Sequence, residues 1–305
     1  MHAIRVDRLT KRYGATLALD GVTFEARPGR VTGFLGRNGA GKTTTLRILV
    51  GLAAPTSGSA TIGGLPYREI EHPARRVGAL IDGAGFDPGA SARGQLLVLA
   101  RAVGVRTPRV DDVLALTDLA YAAGRRTAKL SLGMRQRLAL AAVLLADPEV
   151  LILDEPANGL DPQGLRWLRD LLRSLAAEGR TVLVSSHQLN EVALVADDVV
   201  VVHAGRVATA GPVAELTRPR VLARTPTAAR LVAALERAGL DADADIHAHG
   251  DGPDGDGAVR VAGATTAQVG DVAAAAGVAL HELRVVTSSV EDVFFASIDE
   301  GRTAA

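Results

Sequence analysis

Apolar runs that end at glycine or at a polar pair alternate with amphipathic stretches along the first two-thirds of this 305-residue chain. "VTGFLG" (31–36) leads into "KTTTLRILVGL", "VLILDEP" (150–156) into "GLRWLRDLLRSLAAEG", and "TVLVSSH" (181–187) into "QLNEVALVA". Unbroken apolar strands, each followed by a helix-period pattern, predict a parallel sheet buried on both faces. "GVTFEA" and "SGSATIGG" near the N-terminus predict antiparallel strands and turns instead. From about 87 to 146 the pattern is mostly helical, so a helical subdomain is expected to interrupt the α/β core.

"TRPRVLARTP" marks a boundary, giving a first domain over 1–219 and a second over 220–305. Beyond it the order is a short strand, helix "TAARLVAALERAG", strand "ADIHAH", turn "GDGPDGDG", strand "AVRVAG", helix "TTAQVGDVAAAAG" and strand "VALHELRVV". That is β-α-β-β-α-β, a small α+β domain with split-βαβ layout. The Gly/Asp stretch at 250–257 is expected to be its hairpin loop. A last helix should start at "SSVED", where Ser288 and Glu291 have capping-box spacing.

Composition narrows the class. With 34 basic and 34 acidic residues the net charge is zero, so no nucleic-acid partner is expected. No cysteine is present, which excludes a disulfide framework or thiolate metal site. No uninterrupted apolar run approaches the ~18 residues of a spanning helix, and the polar start "MHAIRVDRLT" is no secretory signal, so a cytoplasmic chain is expected. Of the 34 basic residues only Lys11, Lys42 and Lys129 are lysine. In an arginine-rich chain, a lysine that persists marks a place where a compact point charge matters.

One of them lies in "GRNGAGKT", which fits G-x-x-x-x-G-K-[ST] after an apolar strand and at the mouth of a helix. Gly36, Gly39 and Gly41, with Arg37, Asn38 and Ala40 between them, let backbone N–H groups turn inward around phosphate oxygens. The helix N-terminus adds its dipole. Lys42 reaches the terminal phosphates, and Thr43, followed by Thr44, offers a hydroxyl to Mg²⁺. "VLILDE" supplies the other half: a buried strand delivers Asp154 and Glu155 to its carboxyl end, where open α/β sheets bind ligands. Asp154 can hold Mg²⁺, and Glu155 can polarise an attacking water. His187 ends a third strand in the same way. A lone histidine there is more often structural, but beside these strands a γ-phosphate contact is the better reading. Tyr13 in "KRYG" can stack on a base, although a turn tyrosine is commonly a surface cover.

"LSLGMRQRL" (130–138) poses a different problem. Ser131 fits an N-cap. A bare Gly133 and two arginines nevertheless add positive character to a helix start that is already electropositive, with no local anion.

These elements, in this order and with "LSLGM" about 20 residues before "VLILDE", resemble the ATP-binding-cassette (ABC) ATPases over nearly all of the first ~220 residues. The resemblance implies a P-loop NTPase core that binds and hydrolyses ATP with Mg²⁺. It implies an A-loop at Tyr13, a phosphate loop at 36–43, a signature at 130–134 and a magnesium-and-base strand at 150–155. It further implies a D-loop containing Asp161 and a switch histidine at His187. In this family two cassettes stack head to tail, so Ser131 and Gly133 would serve the ATP held by a second copy, which supplies the missing anion.

"SLGM" and the terminal "SSVEDVFFASI" are similar to the drug- and bacitracin-resistance-type (ABC-2) exporter ATPases. These work with separately encoded membrane permeases, implying a peripheral place on the inner face of the cell membrane. Where the family normally has a glutamine that touches Mg²⁺, after "RVGALI", this chain has Asp82, a harder oxygen ligand. The competing reading is a soluble cassette ATPase remodelling ribosomes or nucleic acid, which commonly carries two cassettes or a long coiled-coil insertion. A third, some other P-loop kinase or GTPase, leaves "LSLGM" and His187 unexplained. The second domain is expected to hold no catalytic residue. His247 and His249 alternate on its predicted strand without a third or fourth metal ligand.

Overall fold

Five consecutive buried residues form β3 (Val31–Leu35). No face of this strand is polar, so it belongs inside a sheet covered on both sides. In the computed structural model, which describes residues 2–83, 85–188, 192, 194–245, 257–287 and 289–293, β3 is flanked by β7 (Thr181–Ser186) and β8 (Asp198–His203). The six-stranded sheet has the order β5 (Val77–Leu80), β6 (Val150–Asp154), β7, β3, β8, β9 (Arg206–Pro212). The pairs β5–β6, β6–β7, β7–β3 and β3–β8 are parallel, and only the edge hairpin β8–β9 is antiparallel. Because parallel strands share a direction, Leu35, Asp154 and Ser186 all finish at one rim: Leu35 pairs with Ser186, and Asp154 with Ser185.

β1 (Ile4–Tyr13), β2 (Thr16–Ala26) and β4 (Ser57–Ile62) form the expected antiparallel sheet in the order β2-β1-β4. Its buried positions include Ile4, Val6, Leu9, Leu19, Val22 and Phe24, which join Phe34, Leu46 and Val200 in one core cluster. Phe24 stacks on Phe34 with ring centroids 4.9 Å apart, tying this sheet to β3.

A second cluster unites the other face of the parallel sheet with the helical region. There α3 (Ala92–Val103), α4 (Pro108–Leu116) and α5 (Leu132–Leu144) follow α1 (Lys42–Leu49) and the short α2 (Pro73–Arg76) in the chain. Then α6 (Pro162–Ala177) packs Leu168, Leu171, Leu172 and Leu175 inward. Most of the helix predicted after His187 falls on residues 189–191 and 193, outside the described residues.

The described residues separate into one unit that runs to Val213 and another from Ala214 to Val293. In the second, β10 (Arg220–Thr225), β11 (Asp241–Asp245), β12 (Gly257–Ala262) and β13 (Glu282–Val286) lie in the order β11-β12-β10-β13, every pair antiparallel. β12 sits between β10 and β11, which is the split of the βαβ unit. Helices Ala228–Arg237 and Thr266–Ala275 contribute Leu231, Leu235, Val269 and Ala273 to its core.

Two boundaries differ from the sequence reading. β11 begins at Asp241, three residues early, where Gly239 at φ +74° turns the chain out of the preceding helix. His247, His249 and most of the predicted 250–257 hairpin loop lie outside the described residues. The final cap uses Ser289 and Asp292 rather than Ser288 and Glu291. Asp292 Oδ2 accepts from the Ser289 N–H at 2.7 Å, and Ser289 Oγ accepts from the Asp292 N–H at 3.1 Å. Both spacings satisfy the rule; the shorter aspartate reaches back as well as a glutamate would. Those bonds hold the Asp292 carboxyl below its ordinary range. Among the described residues no helix is long and apolar enough to cross a membrane.

Candidate functional site

The rim where β3, β6 and β7 end collects the charged residues. After Leu35 the loop 36–41 turns into α1, with Gly39 at φ +82° and Gly41 at φ +106°. A Cβ at Gly41 would lie 2.5 Å from Leu19 Cδ2 and 3.0 Å from the Ala18 carbonyl, so only glycine fits this turn. No side chain caps α1 and its first turn carries no acidic residue, which leaves its N–H groups and dipole for an outside anion. Arg37, Asn38 and Gly39 are exposed, whereas Ala40 is buried and its carbonyl accepts from the Gly205 N–H at 3.1 Å. Thr44, half-buried, follows Thr43 on α1.

Lys42 is only 5% exposed, yet it carries a charge. Its Nζ donates to the Gly36 carbonyl at 2.6 Å and to that of Arg37 at 3.4 Å, and lies 3.4 Å from Glu155 Oε1. Glu155 Oε2 meets His187 Nδ1 at 2.8 Å. Lysine, glutamate and histidine, distant in sequence, thus form one line of contacts. Glu155 adopts φ +50°, an uncommon conformation for a non-glycine residue. Its N–H donates to the Ser185 hydroxyl at 3.0 Å and the Ser185 carbonyl at 3.2 Å, which fixes it there.

Next to this line, the Thr43 hydroxyl donates to Asp154 Oδ2 at 2.8 Å. The Ser185 hydroxyl donates to Asp154 Oδ1. Ser185 was missed in the sequence. The available signal was a serine pair closing an otherwise apolar strand, because a fully buried hydroxyl needs a partner. Hydroxyl and carboxylate oxygens converging on one point are the donor set that a hard divalent cation selects.

Four expected site residues lie in other contacts. Asp82 does not touch this group. Its Oδ2 accepts from Arg47 Nε at 2.9 Å and Nη2 at 2.7 Å, which raises the Arg47 pKa, chiefly through that hydrogen bond. Tyr13 stands at the β1–β2 hairpin end, 47% exposed, with Lys11 Nζ 4.7 Å from its ring centroid. Asp161 caps α6, accepting from the Gly164 N–H at 2.7 Å. Ser131 caps α5 by accepting from the Met134 N–H at 3.2 Å. Gly133, which capping alone leaves unexplained, has a reason within its own chain: a Cβ there would lie 3.1 Å from the Gly159 carbonyl. Leu132 in turn covers Gly159, whose added Cβ would meet Leu132 Cγ and Cδ2 at 2.4 Å. Gln136 Nε2 also donates to the Pro156 carbonyl at 2.9 Å, so α5 grips the loop that follows Glu155.

Known proteins share this arrangement. The ABC transporter family profile matches residues 19–158, and a domain of unknown function matches 219–291. The chain is 42% identical over 206 residues to the bacitracin transport ATP-binding protein BcrA of Bacillus licheniformis, covering 67% of each chain. It is 41% identical over 209 residues to the Nod factor export ATP-binding protein I of Paraburkholderia xenovorans, covering 67% of this chain and 69% of that one. Among solved structures, an ATP-binding subunit of an ABC transporter superposes with TM-score 0.64 at 28% identity, over 70% of this chain and 91% of that one. cbiO1 from Clostridium perfringens, part of an ABC transporter complex, gives TM-score 0.60 at 32% identity over 70% and 89%. A cassette fold, a phosphate loop with its lysine, and the Asp-Glu strand thus coincide with close sequence relatives: the chain belongs to the ABC transporter family, as one of its ATP-binding, ATP-hydrolysing subunits.

Proposed function

We propose that this chain powers export through separately encoded ABC-2-type permease subunits, acting as a head-to-tail homodimer peripheral to the inner face of the cell membrane. Relatives named for bacitracin transport and Nod factor export support the direction of transport. The observation that carries the chemistry is the line from Lys42 through Glu155 to His187, set beside the Thr43–Asp154 pair.

Each residue has a role that follows from its position. The α1 N-terminus and the backbone of Gly36–Gly41 would bind the phosphates, with Lys42 turning from its own loop carbonyls to the terminal phosphate. Thr43 and Asp154 would hold Mg²⁺, which when bound neutralises charge on the phosphate oxygens. Glu155 accepts a proton from the attacking water, and His187 orients that carboxylate through Nδ1. Tyr13 would stack on the base. Ser131, exposed at the head of α5, serves with Gly133 and Asp161 the nucleotide bound by the second copy.

Mixing two inactive variants tests this reading. Ser131→Arg should bind nucleotide in its own loop but fail to complete the partner's site; Lys42→Ala should fail in its own loop. A mixed dimer gathers both lesions in one site and leaves the other intact, so ATPase activity should partly return. Loss of nucleotide binding in Ser131→Arg alone, or no recovery in mixed dimers demonstrated by differential tags, would refute the trans site.

A further inference from the structure

A second carboxylate leaves the sheet next to the Asp154 strand. β5 and β6 pair in parallel with Leu80 beside Leu153. One step further Ile81 stands level with Asp154, and Asp82 departs level with Glu155. Thr43 and Arg47 lie four residues apart on α1, on one face, with Cβ atoms about 6 Å from each other. Thr43 bonds to Asp154 and Arg47 to Asp82. The Asp82 carboxylate therefore sits about one helical turn from the Thr43–Asp154 pair. Asp154 is close enough for its charge to act on the same guanidinium.

Three features make this arrangement easy to change. Arg47 and Asp82 are 45% and 47% exposed, and an exposed ion pair favours its partner over water by only about 1.5- to 5-fold. Both arginine bonds fall on Oδ2, so the carboxylate is gripped by one oxygen. The turn is also unpacked: Asp82 has φ +58° and Gly83 φ +76°, and a Cβ at Gly83 or Gly85 would meet nothing within 4 Å.

We propose that Asp82 is shared between two cations: Arg47 holds it in the metal-free protein, and the divalent ion that accompanies the nucleotide takes it over. Arg47 is then a positioning residue that lowers metal affinity by competing for a ligand. This rests on the reading of Thr43 and Asp154 as the metal pair. It differs from that reading in assigning the metal a reserve carboxylate with a resident competitor.

The test measures Mn²⁺ binding to the full-length chain in the presence of ADP, by electron paramagnetic resonance of free Mn²⁺. Four proteins are compared: wild type, Arg47→Gln, Asp82→Asn and the double variant. Arg47→Gln should tighten Mn²⁺ about 1.5- to 5-fold, the competition released. Asp82→Asn should weaken it by about tenfold or more. In the Asp82→Asn background, Arg47→Gln should bring no gain. That last arm separates ligand competition from simple removal of a nearby positive charge, which would help the metal whether or not Asp82 is present. Unchanged Mn²⁺ affinity in Asp82→Asn, or a gain from Arg47→Gln that persists without Asp82, overturns the exchange. Absence of ADP-dependent Mn²⁺ binding in the wild type would instead overturn the metal pair itself.

Discussion

Glu155→Gln isolates one charge without changing shape. In the ligand-free chain the carboxylate lies between Lys42 Nζ at 3.4 Å and His187 Nδ1 at 2.8 Å. Glutamine keeps a hydrogen-bond acceptor for His187 but cannot take a proton from water. Losing a general base costs about 10²- to 10⁴-fold, or roughly 3–5 kcal/mol of barrier. Binding should move the other way. Removing a negative charge roughly 6 Å from a polyphosphate relieves repulsion that, screened at this partly exposed position, is on the order of 1 kcal/mol, so affinity should rise about fivefold. Lys42 keeps the Gly36 carbonyl at 2.6 Å, so the apo fold should lose little. Rapid-quench single-turnover hydrolysis and equilibrium binding of a fluorescent ATP analogue give both quantities. Slow chemistry with equal or tighter binding is the expected result. Turnover within tenfold of wild type would refute the assignment and direct attention to His187 as the base.

Two further predictions concern the frame around the site. Gly159→Ala forces alanine into φ +81° and places its Cβ 2.4 Å from Leu132, so it should cost about 1–3 kcal/mol of stability. Adding Leu132→Ala should recover only the steric part, and a wild-type denaturation midpoint for Gly159→Ala would exclude the contact. Asp198, buried, accepts from Arg27 and Arg30 at 2.6 to 3.1 Å. Burial alone would raise its pKa, but the bonds from Arg30 and Arg27 outweigh that and hold it below the ordinary carboxylate range. Because the folded pKa is the lower one, this stabilisation is present above the unfolded value and is lost as pH falls through the folded value. Asp198→Asn should therefore cost about 1–3 kcal/mol near neutrality, less than a fully buried pair because both arginines are partly exposed. In urea denaturation the gap from wild type should shrink on acidification; a gap that widens would refute the sign.

The phosphate loop was legible because its geometry is local. Glycines that reach positive φ, a lysine and a threonine at the head of a helix are fixed by neighbours in sequence. Asp154, Glu155 and His187 were legible because each follows an apolar run that could only be a buried strand. Partners across strands were not. Ser185 meets Asp154 only because β6 lies beside β7 in register, and Arg47 meets Asp82 only because β5 lies beside β6. Apolar periodicity gives the existence of strands, whereas their order depends on crossovers that no single run encodes. The cap at Ser289 shows a finer ambiguity: two overlapping serine-to-acid spacings satisfied one rule, and packing selected between them.

The charges at this rim are already partnered before any nucleotide arrives. Lys42 has loop carbonyls and Glu155, Glu155 has His187, and Arg47 has Asp82. An unpaired charge in so buried a place as that of Lys42 would be costly, and its own loop supplies the compensation. Binding a polyphosphate with its metal is then an exchange of partners, in which Lys42 turns from carbonyl to phosphate and Glu155 is released toward water. Such an exchange needs a cation with rotational freedom and small volume. A guanidinium presents a rigid planar fork and could not fold back among the Gly36 and Arg37 carbonyls at 2.6 and 3.4 Å. That is why lysine persists at position 42 in a chain that uses arginine almost everywhere else, and why the neighbouring carboxylates stand within reach of cations rather than in open solvent.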